Sequence, residues 1–245
     1  MIMSMEKDIP VAAMDVEAIP VDINEKEKNM IKAVLFDLDG TLLDTLQDLT
    51  DSVNFALRQH GMPTRSLEEV RRFVGNGARN LIQQSVPEQT GAEETERVLA
   101  AFQEHYDAHN QDKTAPYPGI PEALEILGKK YPMAIVSNKP DWAVKPLCQR
   151  YFPGICARGE SQDCLRKPAP DMVFRAMADI GVQKCIYVGD SEVDLLTAKN
   201  AAVPCLCVLW GFRDREQLAE GKYFCETQEQ LPEMIERIIE EIYGK

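Results

Sequence analysis

Asp37 and Asp39 stand one residue apart in Asp37-Leu-Asp39-Gly40-Thr41, directly after the apolar run of residues 31–36. A short apolar run bounded by polar residues is the pattern of a buried strand, which would deliver both carboxylates at its end. Two carboxylates in one crevice can divide the work of a displacement at phosphorus. One oxygen attacks while the other carboxyl moves a proton. Gly40 permits a tight turn, and backbone N–H groups around Gly40 and Thr41 can hold phosphate oxygens. Taken alone, the pair fits an acidic turn after a strand better than a catalytic site.

A second acidic group, Gly189-Asp190-Ser-Glu-Val-Asp194, follows the apolar residues 185–188. Carboxylates after a strand suit a hard cation such as Mg2+, which prefers oxygen ligands. Asp190 is the expected direct ligand, and Asp194, about one helical turn further on, the expected support behind it. Asp190 or Ser191 would serve equally as the cap of the helix that follows. Ser137 closes the run 133–136, where its hydroxyl could donate to a phosphate oxygen or cap a turn. Lys167 precedes Pro168-Ala-Pro170, which restricts the local backbone. An ammonium held beside the carboxylates would offset phosphate charge and keep Asp37 ionised, with a low pKa.

These residues need a scaffold that gathers several strand ends. Apolar runs at 31–36, 133–136, 185–188, 203–209 and 223–225 alternate with helical patterns at 121–130, 142–151, 170–180 and 195–201. Strand–helix alternation predicts a parallel, doubly wound α/β sheet of Rossmann-like type, and such sheets bind ligands beyond the carboxyl ends of their strands. Residues 46–109 break the alternation with helical pattern alone, including Ser66-Leu-Glu-Glu69 at capping-box spacing. The expected organisation is an α/β core from residues 31–45 and 115–245, with an all-helical insertion over 46–114. Residues 1–30, rich in charge and carrying Pro10 and Pro20, read as a flexible arm rather than a signal peptide.

The balance of 27 basic against 40 acidic residues leaves a formal charge of −13 in 245 residues. Such a chain repels nucleic acid and anionic membranes, so neither is an expected partner. Seven cysteines without a C-x-x-C pair indicate neither a disulfide framework nor a zinc site, and a reducing cytoplasm is the expected compartment. His105 and His109 have helical i, i+4 spacing but no evident third ligand, and read as a solvated helix face. Trp210-Gly-Phe212 suits either a wall of the site or a packing role.

In order along the chain, DLDGTL, IVSNK, KPAPD and VGDSEVD resemble the four motifs of the haloacid dehalogenase-like superfamily. The resemblance spans nearly everything after residue 30, and the helical insertion is similar to that family's cap domain. It implies Asp37 as nucleophile and Asp39 as general acid–base, with Ser137 and Lys167 binding the transferring phosphoryl group and Asn138 beside them. It also implies Mg2+ held by Asp37, the Asp39 carbonyl and Asp190, with Asp194 assisting. An acid at position 39 favours phosphate esters, whose leaving alkoxide needs a proton. Within the insertion, residues 73–79 (Phe-Val-Gly-Asn-Gly-Ala-Arg) resemble phosphoglycolate phosphatases. There Asn76, Gly77 and the following helix could offer N–H groups to an anion, and Arg79 could clamp a carboxylate. The same residues also make an ordinary glycine turn before a helix. The expected substrate is therefore a small phosphorylated metabolite such as 2-phosphoglycolate. A β-phosphoglucomutase-like sugar phosphomutase, a pyrophosphatase of the same fold, or a regulatory protein with a decayed site stand as rivals.

Overall fold

Lys32–Phe36 forms the first strand, β1, in a computed structural model that describes residues 32–244; the expected arm over residues 1–30 lies outside them. Ala33, Val34, Leu35 and Phe36 are all fully buried. The pleat sends Val34 and Phe36 into one hydrophobic cluster and Ala33 and Leu35 into another. The run is continuously apolar because both faces of the strand are covered. β1 pairs in parallel with β4 (Met133–Pro140) on one side and with β6 (Lys184–Gly189) on the other. β5 (Cys156–Glu160) lies beyond β4, and β7 (Cys205–Val208) and β8 (Tyr223–Cys225) lie beyond β6. The sheet order is β5-β4-β1-β6-β7-β8, with every pairing parallel.

Two short strands, β2 (Leu43–Asp44) and β3 (Ala115–Pro116), pair antiparallel and bring together the ends of the segment between them. That segment forms four helices: α1 (Leu46–Gln59), α2 (Leu67–Phe73), α3 (Gly77–Ser85) and α4 (Ala92–His109). They share a hydrophobic cluster of their own that includes Val53, Leu57, Ile82 and Phe102. The capping box opens α2 as its spacing predicts, with Ser66 and Glu69 each accepting the other's backbone N–H. Asp48 fastens the return to the sheet by accepting from the Lys113 and Thr114 backbone N–H groups and from the Thr114 hydroxyl.

The remaining helices cover the sheet. α5 (Ile120–Gly128), α6 (Asp141–Tyr151) and α9 (Leu231–Tyr243) pack on the Val34 face, and α7 (Asp171–Asp179) and α8 (Glu192–Asn200) on the other. The chain moves outward from β1 through β4 to β5 and then returns to the opposite side at β6. That reversal opens a crevice at the carboxyl end of β1. Among the described residues no helix is long and apolar enough to cross a membrane, and all seven cysteines are free thiols.

Three elements depart from the sequence expectation. β5 is an edge strand whose residues Cys-Ala-Arg-Gly-Glu are mostly half-buried, so it carries no apolar run. The β2–β3 ladder is too short to leave a pattern. β4 runs on through Ser137, Asn138 and Lys139, residues expected to follow a strand ending at 136.

Candidate active site

Asp37 follows the last residue of β1, and its backbone N–H donates to the Val188 carbonyl at 2.9 Å, which continues the ladder to β6. Its Oδ1 accepts from the Leu38 N–H at 2.7 Å and meets Lys167 Nζ at 2.8 Å. Among the described residues no hydrogen bond engages Oδ2. Asp39 pairs through Oδ1 with Lys139 Nζ at 2.6 Å. Asp37, Asp39, Ser137, Asn138, Lys167 and Asp190 all line a single cleft between the sheet and the helical insertion.

Lys167 is almost completely buried and bridges Asp37 to Asp194, 2.8 Å from each. Asn138 holds the Lys167 backbone from both sides: Oδ1 accepts from its N–H at 2.8 Å and Nδ2 donates to its carbonyl at 3.0 Å. Nδ2 also reaches the Gly75 carbonyl of the insertion at 3.2 Å. The Asn138 amide, expected to bind substrate, is therefore engaged with backbone. Asp194 takes four protein donors. Oδ1 accepts from Lys167 and from the Tyr187 hydroxyl, and Oδ2 from the Ser191 N–H and hydroxyl. Its capping box with Ser191 starts α8, so one carboxylate both caps a helix and orients the buried lysine.

Asp190 is held by the Thr41 hydroxyl on Oδ1 at 3.1 Å and by the Phe212 N–H on Oδ2 at 2.7 Å. Gly40 and Thr41 thus sit beneath Asp190 and are absent from the cleft wall. Gly40 adopts φ +82°, and a Cβ there would overlap the Asp190 carboxylate, so glycine is required twice over. Gly77 lines the cleft at the start of α3. Asn76 and Arg79 are not among the lining residues. The Asn76 carbonyl accepts from Arg166, and Arg79 is exposed on the outer face of α3, where it pairs with Glu96. The position of a helical side chain depends on rotation about the axis, which the segment 73–79 leaves open.

Carboxylate oxygens of Asp37, Asp190 and Asp194 can all lie within 4.8 Å of one another. One ammonium, Lys167, faces these three buried acids. Lys167 itself is held well above the ordinary lysine range: burial alone would lower it, but Asp194 and Asp37 raise it further. The expectation that Lys167 keeps the Asp37 pKa low is reversed. Burial and then the Asp194 charge push the Asp37 carboxyl well above the usual range, and Lys167 only partly opposes them. Asp190 is likewise pushed up to about 7 by burial and Asp194. A cluster short of positive charge, built from carboxylate oxygens alone, fits a divalent cation. Asp37, with its free Oδ2, and Asp190 are the donors suited to touch it, since both Asp194 oxygens are already saturated.

The model for haloacid dehalogenase-like hydrolases matches residues 34–208. The chain belongs to the haloacid dehalogenase-like hydrolases. Within that family it is phosphoglycolate phosphatase-like. It is 36% identical over 200 residues to phosphoglycolate phosphatase 1 of Pseudomonas aeruginosa, covering 77% of this chain and 73% of the relative. It is 35% identical over 193 residues to a phosphoglycolate phosphatase of Mesorhizobium japonicum, covering 74% and 84%. A solved structure of a candidate phosphoglycolate phosphatase from Lactobacillus delbrueckii subsp. bulgaricus superposes with a TM-score of 0.79. It shares 36% identity and covers 84% of this chain and 98% of its own.

Two residues lining this cleft are not singled out by the sequence. Lys139 lies two residues beyond Ser137 on β4, a strand-face spacing that puts its ammonium beside Asp39. The signal was present in Ser-Asn-Lys once β4 was extended through it. Arg213 is nearly buried in the loop after β7. It donates to the Arg71 carbonyl at 2.9 Å and the Val74 carbonyl at 2.7 Å at the end of α2, and pairs with Glu192. Its neighbour Phe212 supplies the N–H that holds Asp190, and Trp210 Nε1 donates to the Thr41 carbonyl at 3.0 Å. One loop therefore ties the acid site to the insertion, a tertiary role without local pattern.

The raised carboxyls carry a stability prediction. A carboxyl whose folded-state pKa exceeds its unfolded value supports the fold at low pH and withdraws that support as pH rises through the folded value. For Asp190 that window ends near 7. In metal-free protein, Asp190→Asn is expected to raise the melting temperature by roughly 2–8 °C at pH 8 and by clearly less at pH 5. Thermal melts in chelator check this, and a shift equal at both pH values would count against the charge crowding described here.

Proposed function

We propose that this phosphatase hydrolyses 2-phosphoglycolate, or a phosphate ester of similar size, through an aspartyl-phosphate on Asp37. The observation that carries the reading is the Asp37 carboxylate. One oxygen is anchored by Lys167 and a backbone N–H, the other is unengaged, and Asp39 shares the same cleft. In the first step an Asp37 oxygen bonds to phosphorus as the ester bond breaks, and Asp39 delivers a proton to the departing alkoxide. In the second, Asp39 takes a proton from water as that water attacks the aspartyl-phosphate and releases inorganic phosphate. Lys167 and the Ser137 hydroxyl donate to the transferring oxygens, and Asp194 and Asn138 hold Lys167 in place for that task.

Mg2+ is the proposed cation, held by Asp37, Asp190 and the Asp39 carbonyl, and when bound it would offset the charge gathered on the carboxylates and phosphoryl oxygens. The core of residues 31–45 and 115–245 carries the chemistry. The insertion of residues 46–114 acts as the cap that closes over the ester and excludes water. Kinship to phosphoglycolate phosphatases supports the substrate, and the free thiols suit a cytoplasmic enzyme.

Phosphate release measured across phosphoglycolate, hexose phosphates, nucleoside monophosphates and pyrophosphate tests the reading. Phosphoglycolate is expected to give the highest kcat/KM in Mg2+, with activity lost in excess chelator and poorly restored by Ca2+, which favours more ligands at longer distances. Phosphate transfer between positions of a hexose phosphate without net release would instead identify a mutase.

A further inference from the structure

The substrate-specific end of the cleft contains a polar group without a partner. Tyr106 of α4 lines the cleft and is buried to 4% exposure, and its hydroxyl makes no full hydrogen bond among the described residues, with only the Lys139 ammonium approaching it. Among the described residues, the one other buried side-chain polar atom in that condition is Thr45 Oγ1, which does not line the cleft. An unpaired buried hydroxyl costs free energy, so a position that keeps one calls for a ligand that completes it. Burial pushes the phenol up to about 12, so it remains a donor at neutral pH. The ring stacks on Phe102 with centroids 5.4 Å apart, which restrains where the phenol oxygen sits while its O–H remains free to rotate toward an acceptor.

The nearest cation is Lys139. Its Nζ lies 5.0 Å from the centre of the Tyr106 ring, close enough to interact electrostatically with the hydroxyl, while its hydrogen bond goes to Asp39. An ammonium has three N–H donors, so this bond leaves it able to serve a second acceptor. The insertion contributes little else of polar character: Leu49, Val74, Ala78, Leu81 and Phe102 line its side of the cleft, with Gln103 beside them. Arg79, the cation expected there, is on the outer face.

Connectivity of the substrate narrows the geometry. In phosphoglycolate one methylene separates the ester oxygen from the carboxylate carbon. The carboxylate must therefore lie beside whichever group protonates the departing oxygen. If Asp39 is that group, the carboxylate falls next to Lys139 and the Tyr106 hydroxyl. We infer that Tyr106 and Lys139 together receive the carboxylate of the substrate and are the specificity determinants of this enzyme. The inference rests on the phosphoglycolate reading above. It also links recognition to proton delivery. A substrate carboxylate drawn to Lys139 competes with Asp39 for that ammonium and frees Asp39 to turn toward the ester oxygen. An ester lacking the carboxylate leaves the Lys139–Asp39 pair closed.

Tyr106→Phe tests this with minimal disturbance, since it keeps the ring and removes only the unpaired hydroxyl. Ethyl phosphate, in which a methyl replaces the carboxylate, is the comparison substrate. The wild-type ratio of kcat/KM for phosphoglycolate over ethyl phosphate is expected to exceed one substantially. In Tyr106→Phe that ratio should fall by about 10–100-fold, the scale of a hydrogen bond to a charged group. The melting temperature of the free variant should be unchanged or higher, because at most a weak contact with Lys139 is lost while the desolvation of an unsatisfied hydroxyl is relieved. A wild-type preference that survives in Tyr106→Phe overturns the inference alone. A melting temperature lowered by several degrees also overturns it, by showing that the hydroxyl has a structural partner. A wild-type enzyme with no preference for phosphoglycolate over ethyl phosphate overturns the substrate reading and this inference together.

Discussion

Asp37→Asn is expected to lower phosphate release at least about 100-fold for every ester tested, because an amide is a poor nucleophile and cannot form the acyl-phosphate. The surroundings of Asp37 make the substitution a clean one. Lys167 keeps its 2.8 Å contact with Asp194, so no buried ammonium is stranded. Asn can still accept the Leu38 N–H that Oδ1 accepts now. The variant also removes a buried carboxyl whose folded-state pKa is raised, so it should melt no lower than the wild type in the absence of metal at pH 8. Activity and melting temperature measured on the same preparation separate loss of chemistry from loss of fold. More than about a hundredth of the wild-type activity in stable Asp37→Asn would rule out this residue as the covalent nucleophile.

Asp39→Asn should slow turnover of alkyl phosphates by roughly 10²–10⁴-fold, the usual range for general acid–base catalysis. The leaving group provides the internal control. An aryl phosphate departs as a stabilised phenolate and needs less protonation, so its single-turnover transfer to Asp37 should suffer far less. Hydrolysis of the aspartyl-phosphate should be slowed for both classes, since the water in the second step relies on the same base. A burst of aryl alcohol followed by slow phosphate release is therefore the expected record in the variant. An Asn side chain can still accept from Lys139, so the cleft wall should stay in place. Equal losses for aryl and alkyl esters in the first turnover would assign Asp39 a positional role instead.

Both variants rest on residues that the chain itself singles out. Asp37, Asp39 and Asp190 were legible in the chain because each stands just after an apolar run, with Asp194 a helical turn beyond, and a parallel sheet brings strand ends together whatever their order. The capping box at Ser66 and the helical character of residues 46–109 were legible for a related reason. Helix periodicity, caps and buried parallel strands are written in short stretches, and each stretch reports its own conformation.

What the tertiary structure alone decided involves partners far apart in the chain. The edge strand β5 has no apolar signature, because its residues are half-covered and its pairing to β4 is through backbone. Lys139 meets Asp39 across 100 residues, and Arg213 reaches the end of α2 across more. Lys167 was expected to lower the Asp37 pKa. Only the burial of Asp37 and the approach of Asp194 from the next strand's helix reverse that balance. Residues 73–79 carried an arginine of the right chemistry, yet the rotation of α3 turns Arg79 to solvent toward Glu96 while Tyr106, with no motif around it, lines the cleft. Spacing along a chain reports which side chains share a strand end or a helix turn. Which of them share a cavity depends on how separate elements rotate and pack, and on how far they exclude water, and those are properties of the assembled fold.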